Sequence, residues 1–290
     1  VSLADATLPP PPPKGTELPT WMEPRIPDGF EPLATPARFC CVMQKGGTSK
    51  TTTTVCLGCE LALLGLRVRI WDLDPQEGSA TSWMPPQTNV QGTPPNLLHM
   101  FEGKAGPDEV TYPTSVPNLH IVPSYTSLKQ AEINPEIVGV EHAVNWGIEN
   151  SSEPFDVEIA DCGPSLGKLT IAGMIACPEL IIPFKPSGLD MRSLVALNRT
   201  IELTKRVQPN LNRRAVILGA VLKSNLTDAM YKRVCLDYPE SLVMGVRSSV
   251  AAMEAPTPQI LQPLHVYAPE ATVRQDYKYL AQMLVRRKAA

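Results

Sequence analysis

The sequence predicts an α/β fold: a single domain with a mostly parallel, twisted sheet and helices on both faces. From Arg38 onward short apolar runs alternate with longer amphipathic stretches. The runs are continuously apolar rather than alternating, as strands covered on both faces require. The stretches between them are long enough for right-handed crossover helices. The expected strands, in order, are Arg38–Met43, Arg67–Leu73, Leu119–Val122, Asp156–Asp161, Glu179–Phe184, Arg214–Leu222 and Leu264–Tyr267. Helical periodicity predicts Lys50–Gly65, ended by its glycine, then Glu136–Glu149, Leu189–Val207, Thr227–Leu236 and Ala271–Arg287. The Pro-, Gly- and Asn-rich segment Met84–Pro117 reads as an irregular excursion with a short helix near Leu97–Phe101.

Composition narrows the class. Of 290 residues, 43% are hydrophobic and 19% charged, enough to build one sizeable core. The longest apolar stretch, Leu169–Phe184, is interrupted by Pro178 and Glu179, so no membrane span is expected. No cationic-then-apolar leader is read at the start. Seven cysteines, an odd number without regular spacing, point to a reducing, cytoplasmic setting. Cys56 and Cys59 form a C-x-x-C, but no second pair accompanies them, and both are read as buried small side chains, as is Cys162. His99, His120, His142 and His265 form no metal-ligand pattern.

Proline is the outlier, with 31 residues. Ten fall within 1–37, including Pro9 to Pro13, and predict an extended, solvated tail. The ordered domain is expected over 38–290. Charge is unevenly spread: residues 38–191 carry 9 basic and 17 acidic side chains, and residues 192–290 carry 15 basic and 7 acidic. Two readings are open, ordinary solvated faces or a basic surface that meets a polyanion such as DNA.

The chemistry concentrates after the first strand, in Gln44-Lys45-Gly46-Gly47-Thr48-Ser49-Lys50-Thr51-Thr52. A small-residue loop between a strand and a helix offers backbone N–H groups at the helix's positive end, a phosphate cradle. Lys50 would reach the β- and γ-phosphates, and the Thr51 hydroxyl would ligate Mg²⁺. Gln44 and Ser49 stand where the general pattern has glycines. The second strand ends in Asp72-Leu73-Asp74 and the fourth in Asp161, which brings carboxylates to the same crevice. An acid so placed holds Mg²⁺ through water.

These motifs resemble the ParA/MinD superfamily of P-loop NTPases. Lys45-Gly46-Gly47-x-x-Lys50-Thr51-Thr52 is similar to its deviant Walker A motif, Asp72-Leu73-Asp74-Pro75-Gln76 to its second motif, and Asp161-Cys162-Gly163-Pro164 to its Walker B region. Gly78-Ser79-Ala80-Thr81-Ser82-Trp83 resembles the short ParA/Soj-type members in particular, and the likeness runs in order over about 38–287. The resemblance implies ATP and Mg²⁺ as cofactors, with Gly46, Gly47, Thr48, Ser49 and Thr52 around the phosphates. Thr51, Asp72 and Asp161 would form the metal shell. It implies that Asp74 positions the attacking water and that Lys45 crosses an ATP-bound homodimer to the partner's nucleotide. A serine at position 49 costs ~1–2 kcal/mol if its backbone is left-handed, and slow turnover is the expectation.

The resemblance further implies non-specific DNA binding and a ParB-like centromere-binding partner in plasmid or chromosome partition, in the bacterial cytoplasm on the nucleoid. Arg213, Arg214, Arg247, Arg274 and Lys278 are the candidate DNA contacts, although Ser248 and Ala251 lack the charge that relatives carry nearby. The stripe Val273, Tyr277, Leu280 and Leu284 on the last helix reads as core packing, not as a membrane anchor. Two alternatives stay open, a positioning factor for a protein cargo on the nucleoid and a non-hydrolysing nucleotide-gated scaffold.

Overall fold

The structure is a computed structural model and describes residues 23–222 and 224–287. Its strands are β1 (Leu33–Ala34), β2 (Ala37–Cys41), β3 (Val68–Leu73), β4 (Tyr112–Pro113), β5 (Leu119–Val122), β6 (Val157–Cys162), β7 (Glu179–Phe184), β8 (Asn212–Val221), β9 (Leu242–Arg247) and β10 (Val285–Arg286). Its helices are α1 (Lys50–Leu63), α2 (Ala80–Trp83), α3 (Leu97–Phe101), α4 (Gln130–Ile133), α5 (Val140–Glu149), α6 (Lys168–Ala176), α7 (Gly188–Thr204), α8 (Asn225–Asp237), α9 (Val250–Glu254), α10 (Leu264–Tyr267) and α11 (Thr272–Leu284).

Eight strands form one sheet in the order β4-β5-β3-β6-β2-β7-β8-β9, parallel throughout except for β4. The chain steps from β2 past β6's place to β3, and later returns across β2 to β7. The carboxyl ends of β2, β3 and β6 therefore meet at the reversal point, where open α/β sheets bind ligands.

Side-chain alternation divides the core into two layers. Phe39, Ile70, Ile121, Ile159, Ile181 and Ile217 bury against α1 and α11. Cys40, Trp71, Ala160, Leu180 and Val216 point the other way, toward α5, α6 and α7. Covering both faces is what made the strands read as continuous apolar runs. The apolar stripe of α11 belongs to this core: Val273, Tyr277, Leu280 and Leu284 are buried, and the Tyr277 hydroxyl shares a hydrogen bond with Thr53. No helix among the described residues is long and apolar enough to cross a membrane.

Three expectations are corrected. Leu264–Tyr267 is a single helical turn, α10, opened by Pro263, because four residues of apolar sequence cannot tell strand from helix by periodicity. The edge strand β9, Leu242–Arg247, was not foreseen at all. Residues 23–37 are not a solvated tail. Arg25 pairs its backbone antiparallel with Val243 on the open edge of β9, and its guanidinium reaches carbonyls of the loop between α8 and β9, including Ser241 at 2.8 Å. Phe30 lies under the Arg214 guanidinium, and β1 pairs with β10. This strap lies on a sheet edge and occupies the N–H and carbonyl of Val243 there. The prolines at 9–13 lie outside the described residues.

Below the site, β3 and β6 share a buried ion pair. Arg69 and Glu158 face each other in register at 2.7 Å, with side chains 1% and 4% exposed. Trp71 donates its indole N–H to the same carboxylate at 2.7 Å, and the guanidinium lies against the Trp71 and Phe155 rings. Arg69→Met would leave Glu158 buried without its cation and is expected to cost about 3–5 kcal/mol. Chemical denaturation measures this, and a midpoint equal to that of the parent chain would refute the pair's role.

Candidate phosphate and metal site

The loop between β2 and α1 folds around one carbonyl. Lys50 donates its ammonium to the Lys45 carbonyl at 2.8 Å, and the Thr48 hydroxyl reaches the same oxygen at 3.3 Å. Lys50 is only 6% exposed, and Lys45 is half-buried at the loop's entrance. Gly46 and Gly47 are exposed, Gly47 with φ of 71°, and Thr51 and Thr52 open α1 with half-buried side chains. Ser49 sits at the N-cap with φ 73° and ψ 24°, in the left-handed region, and its side chain makes no capping hydrogen bond. It packs against Gly219, where a methyl group would lie 3.1 Å from the Ser49 hydroxyl.

The carboxylates meet because strands pair in register. Asp72 on β3 stands directly opposite Asp161 on β6. Asp161 is fully buried and accepts hydrogen bonds from Thr51 at 2.8 Å and Thr54 at 3.0 Å. Burial, with Asp72 alongside, pushes its carboxyl up to about 8. Burial also raises Asp72, to about 6, although its hydrogen bonds work in the opposite direction. Two buried acids side by side with raised affinity for protons are also poised for a cation. A hydroxyl and a carboxylate, both hard oxygen donors, suit Mg²⁺.

Asp72 is engaged more heavily than Asp161, accepting four hydrogen bonds against two. One oxygen accepts from the Ser79 hydroxyl at 2.6 Å, and from the Thr81 backbone N–H and hydroxyl at 2.7 and 2.5 Å. The other accepts from the Asp74 N–H at 3.1 Å. Its lone pairs are spent on ordering the loop from β3 to α2. That role was readable in Ser79-x-Thr81, whose hydroxyls follow the acid at a turn's distance.

Asp74 is the acid that faces outward. It is 9% exposed, and its carboxylate accepts from the Gln76 N–H. Burial raises its affinity for a proton, against the opposing charges of Lys50 and Lys129. Gly163 crowds it closely enough that a methyl group there would lie 3.1 Å from its Oδ1. Beyond it lies a cleft of about 300 Å³ lined by Lys129, Glu132, Gly163 and Ser165 among others. Lys129 and Glu132 carried no motif in the sequence, since they come from the segment after β5.

The structure does not gather the predicted DNA contacts. Arg213 pairs with Glu202 at 2.7 Å, Arg214 stacks on Phe30 and reaches the Glu31 carbonyl, Arg247 grips Asp276 with both nitrogens, and Arg274 holds Glu60 at 2.8 Å. Of the five, Lys278 stands exposed on α11. The four arginines act as planar forks inside the fold, a use for which arginine is suited. Exposed cations stand instead at Arg192 and Arg199, seven residues apart and so on one face of α7, and at Arg206 in the turn just beyond it. Cys56, Cys59 and Cys162 are buried free thiols, and no cluster of metal-binding side chains of three or more is found among the described residues.

Two predictions follow from this geometry. Ser49→Gly removes a left-handed cost of ~1 kcal/mol and should raise the thermal midpoint by about 2 °C; an unchanged midpoint would show that the loop bears no such cost. The second concerns Asp161. Its carboxyl keeps its proton in the folded chain up to about 8, whereas the unfolded chain releases it near 3.8. Stability without nucleotide or Mg²⁺ should therefore fall as pH rises through that window. Asp161→Asn should flatten this dependence and raise the midpoint at pH 8 by about 2–5 °C, as thermal denaturation at pH 5 and 8 would report.

A protein-family model described as AAA domain matches residues 38–217. The chain is 29% identical to the chromosome partitioning protein ParA of Caulobacter vibrioides over 88% of this chain and 96% of that one. It is 31% identical to the sporulation initiation inhibitor protein Soj of Bacillus subtilis, over 82% and 94%. Among solved structures, an ATP complex of a McdA variant from Cyanothece superposes with a TM-score of 0.71 at 19% identity, covering 89% of this chain and all of that one. Cobyrinic acid a,c-diamide synthase from Mycobacterium smegmatis, with an ATP analogue and magnesium, gives 0.68 at 24% identity over 84% and 93%. These two likenesses speak to the fold alone. The matched span runs from β2 into β8 and contains the phosphate loop, Asp74 and Asp161, and with the family model and the ParA and Soj relatives in agreement, the chain belongs to the AAA-domain family and, within it, to the ParA/MinD superfamily of P-loop ATPases.

Proposed function

We propose that this ATPase serves DNA partition, of a plasmid or a chromosome, as a switch timed by ATP and Mg²⁺. The observation that carries the reading is the pairing of Asp161 with Thr51 beneath a loop in which the Lys50 ammonium is held on the Lys45 carbonyl. Phosphates are stronger acceptors than that carbonyl, so Lys50 would turn from it to the β- and γ-phosphates. Backbone N–H groups of residues 46–52 complete the cradle. Thr51 would hold Mg²⁺ directly and Asp161 through water. Asp74, at the mouth of its cleft, would orient the attacking water.

Lys45 stands at the entrance, where its cation would serve a second copy of the chain. A charge delivered from outside offsets the negative charge that develops on the transferred phosphoryl group. Hydrolysis then waits for dimerisation, and product formation dissolves the pair. The left-handed Ser49 favours slow turnover, with a ParB-like centromere-binding protein as the stimulating partner. For non-specific DNA we assign Arg192, Arg199 and Arg206, in place of the arginines committed inside the fold.

DNA retention with ATP, ADP and no nucleotide, at two salt concentrations, tests this reading. Retention on unrelated sequences only with ATP, weakened about tenfold or more by a fourfold rise in salt, is expected for several phosphate contacts. Arg192→Glu with Arg199→Glu should abolish it while hydrolysis persists. Lys45→Ala should suppress turnover by about 100-fold or more, as loss of an external cation does. Retention indifferent to nucleotide would overturn the switch.

A further inference from the structure

The segment between β5 and α5 touches both loops that carry the acids. At its start, the Ser124 hydroxyl donates to the Asp74 carbonyl at 2.7 Å, and the Ser124 N–H donates to the Thr81 hydroxyl that itself binds Asp72. Further along, in α4, Glu132 accepts from the Ser165 hydroxyl on the loop after Asp161, at a long 3.4 Å. The same carboxylate oxygen lies against Gly167, in the space that a methyl group there would fill. Gly167 precedes α6 with an ordinary backbone φ of −81°, so close approach by Glu132, not backbone freedom, is what requires glycine at this position. The Thr170 hydroxyl holds the Ser165 carbonyl at 2.6 Å, and the Gly167 N–H reaches the Ser165 hydroxyl at 3.2 Å. Gly163, at the head of this loop, crowds the Asp74 carboxylate.

From this arrangement we propose that Glu132 is a positioning residue for ATP hydrolysis: seated on Gly167 and Ser165, it clamps the loop after Asp161 to the segment that also holds the Asp74 backbone. The clamp fixes the distance between Gly163 and Asp74, and with it the place of the attacking water. Small displacements of a positioned nucleophile are costly in rate while leaving binding intact. The proposal rests on the ATPase reading above, and assigns a role within it to a residue that carries no nucleotide motif.

Turnover and nucleotide binding of the full chain, with its DNA and any stimulating partner, separate the outcomes. Glu132→Ala should lower kcat about tenfold and leave KM and the affinity for Mg-ATP within about twofold. Glu132→Gln, whose amide oxygen still accepts from Ser165, should keep most of the activity. Ser165→Ala should lower kcat, and the double variant should be no slower than Glu132→Ala. Full activity in Glu132→Ala, equal losses in the Gln and Ala variants, or additive losses in the double variant would each overturn the clamp. Hydrogen exchange at the Ser165–Gly167 amides tests it apart from turnover. Faster exchange in Glu132→Ala is expected, and unchanged exchange refutes the clamp. A parent chain that hydrolyses nothing while the variant exchanges faster would instead overturn the ATPase reading.

Discussion

Two carboxylates buried side by side, Asp72 and Asp161, set the terms for the rest of the site. Parallel pairing of β3 with β6 leaves them no way apart, and the low-dielectric interior makes their joint ionisation expensive. The fold meets this with hydroxyls. Ser79 and Thr81 satisfy Asp72, and Thr51 and Thr54 satisfy Asp161. The first pair turns an acid into a fastener for the loop that presents Asp74. The second pair ties the other acid to the start of α1, next to the phosphate loop. The two acids thereby acquire different work from different partners, although each ends a strand in the same manner.

The same division between fastening and function governs the cations. Arginine is the costlier side chain to leave idle in a fold, because its fork satisfies several acceptors at once. Arg25, Arg69, Arg213, Arg214, Arg247 and Arg274 each hold two parts of the chain together, and most of them join elements distant in sequence. A net excess of positive charge in the last third of the chain is thus a poor map of the surface. What remains outside includes a stripe on α7 and Lys278 on α11, and much of the distinction between the two sets lies in where the acids Glu60, Glu202 and Asp276 fall in space.

Close approach explains the glycines of the site better than backbone freedom does. Gly163, Gly167 and Gly219 lie against Asp74, Glu132 and Ser49, and none of the three has a positive φ. Ser49 is the converse, a side chain in a conformation that glycine adopts more easily. The loop that must surround phosphate carries its strain at one residue, while the loops around it are kept tight by the absence of side chains.

The order of strands and helices, the phosphate loop and the acids at strand ends were all legible in the sequence, because each is local: apolar periodicity, a small-residue turn, a carboxylate after an apolar run. β9 was missed and α10 misassigned, since six- and four-residue apolar runs hold no periodic signal of their own and take their form from neighbours. The strap over 23–37 was hidden by its prolines, which signal an extended chain but not what that chain lies against. Asp72's fastening role lay close at hand in Ser79 and Thr81, but the sequence could not show Asp161's partners, 107 and 110 residues away, or tell idle arginines from committed ones, whose partners lie from 11 to 214 residues away. Residue types and spacing determined that this chain would present a phosphate site at the mouth of a parallel sheet. Only tertiary structure decided which partners each acid takes, which cations face solvent, and that Glu132 lies against Gly167 and Ser165, because burial and hydrogen-bond satisfaction belong to the packed chain and not to any segment of it.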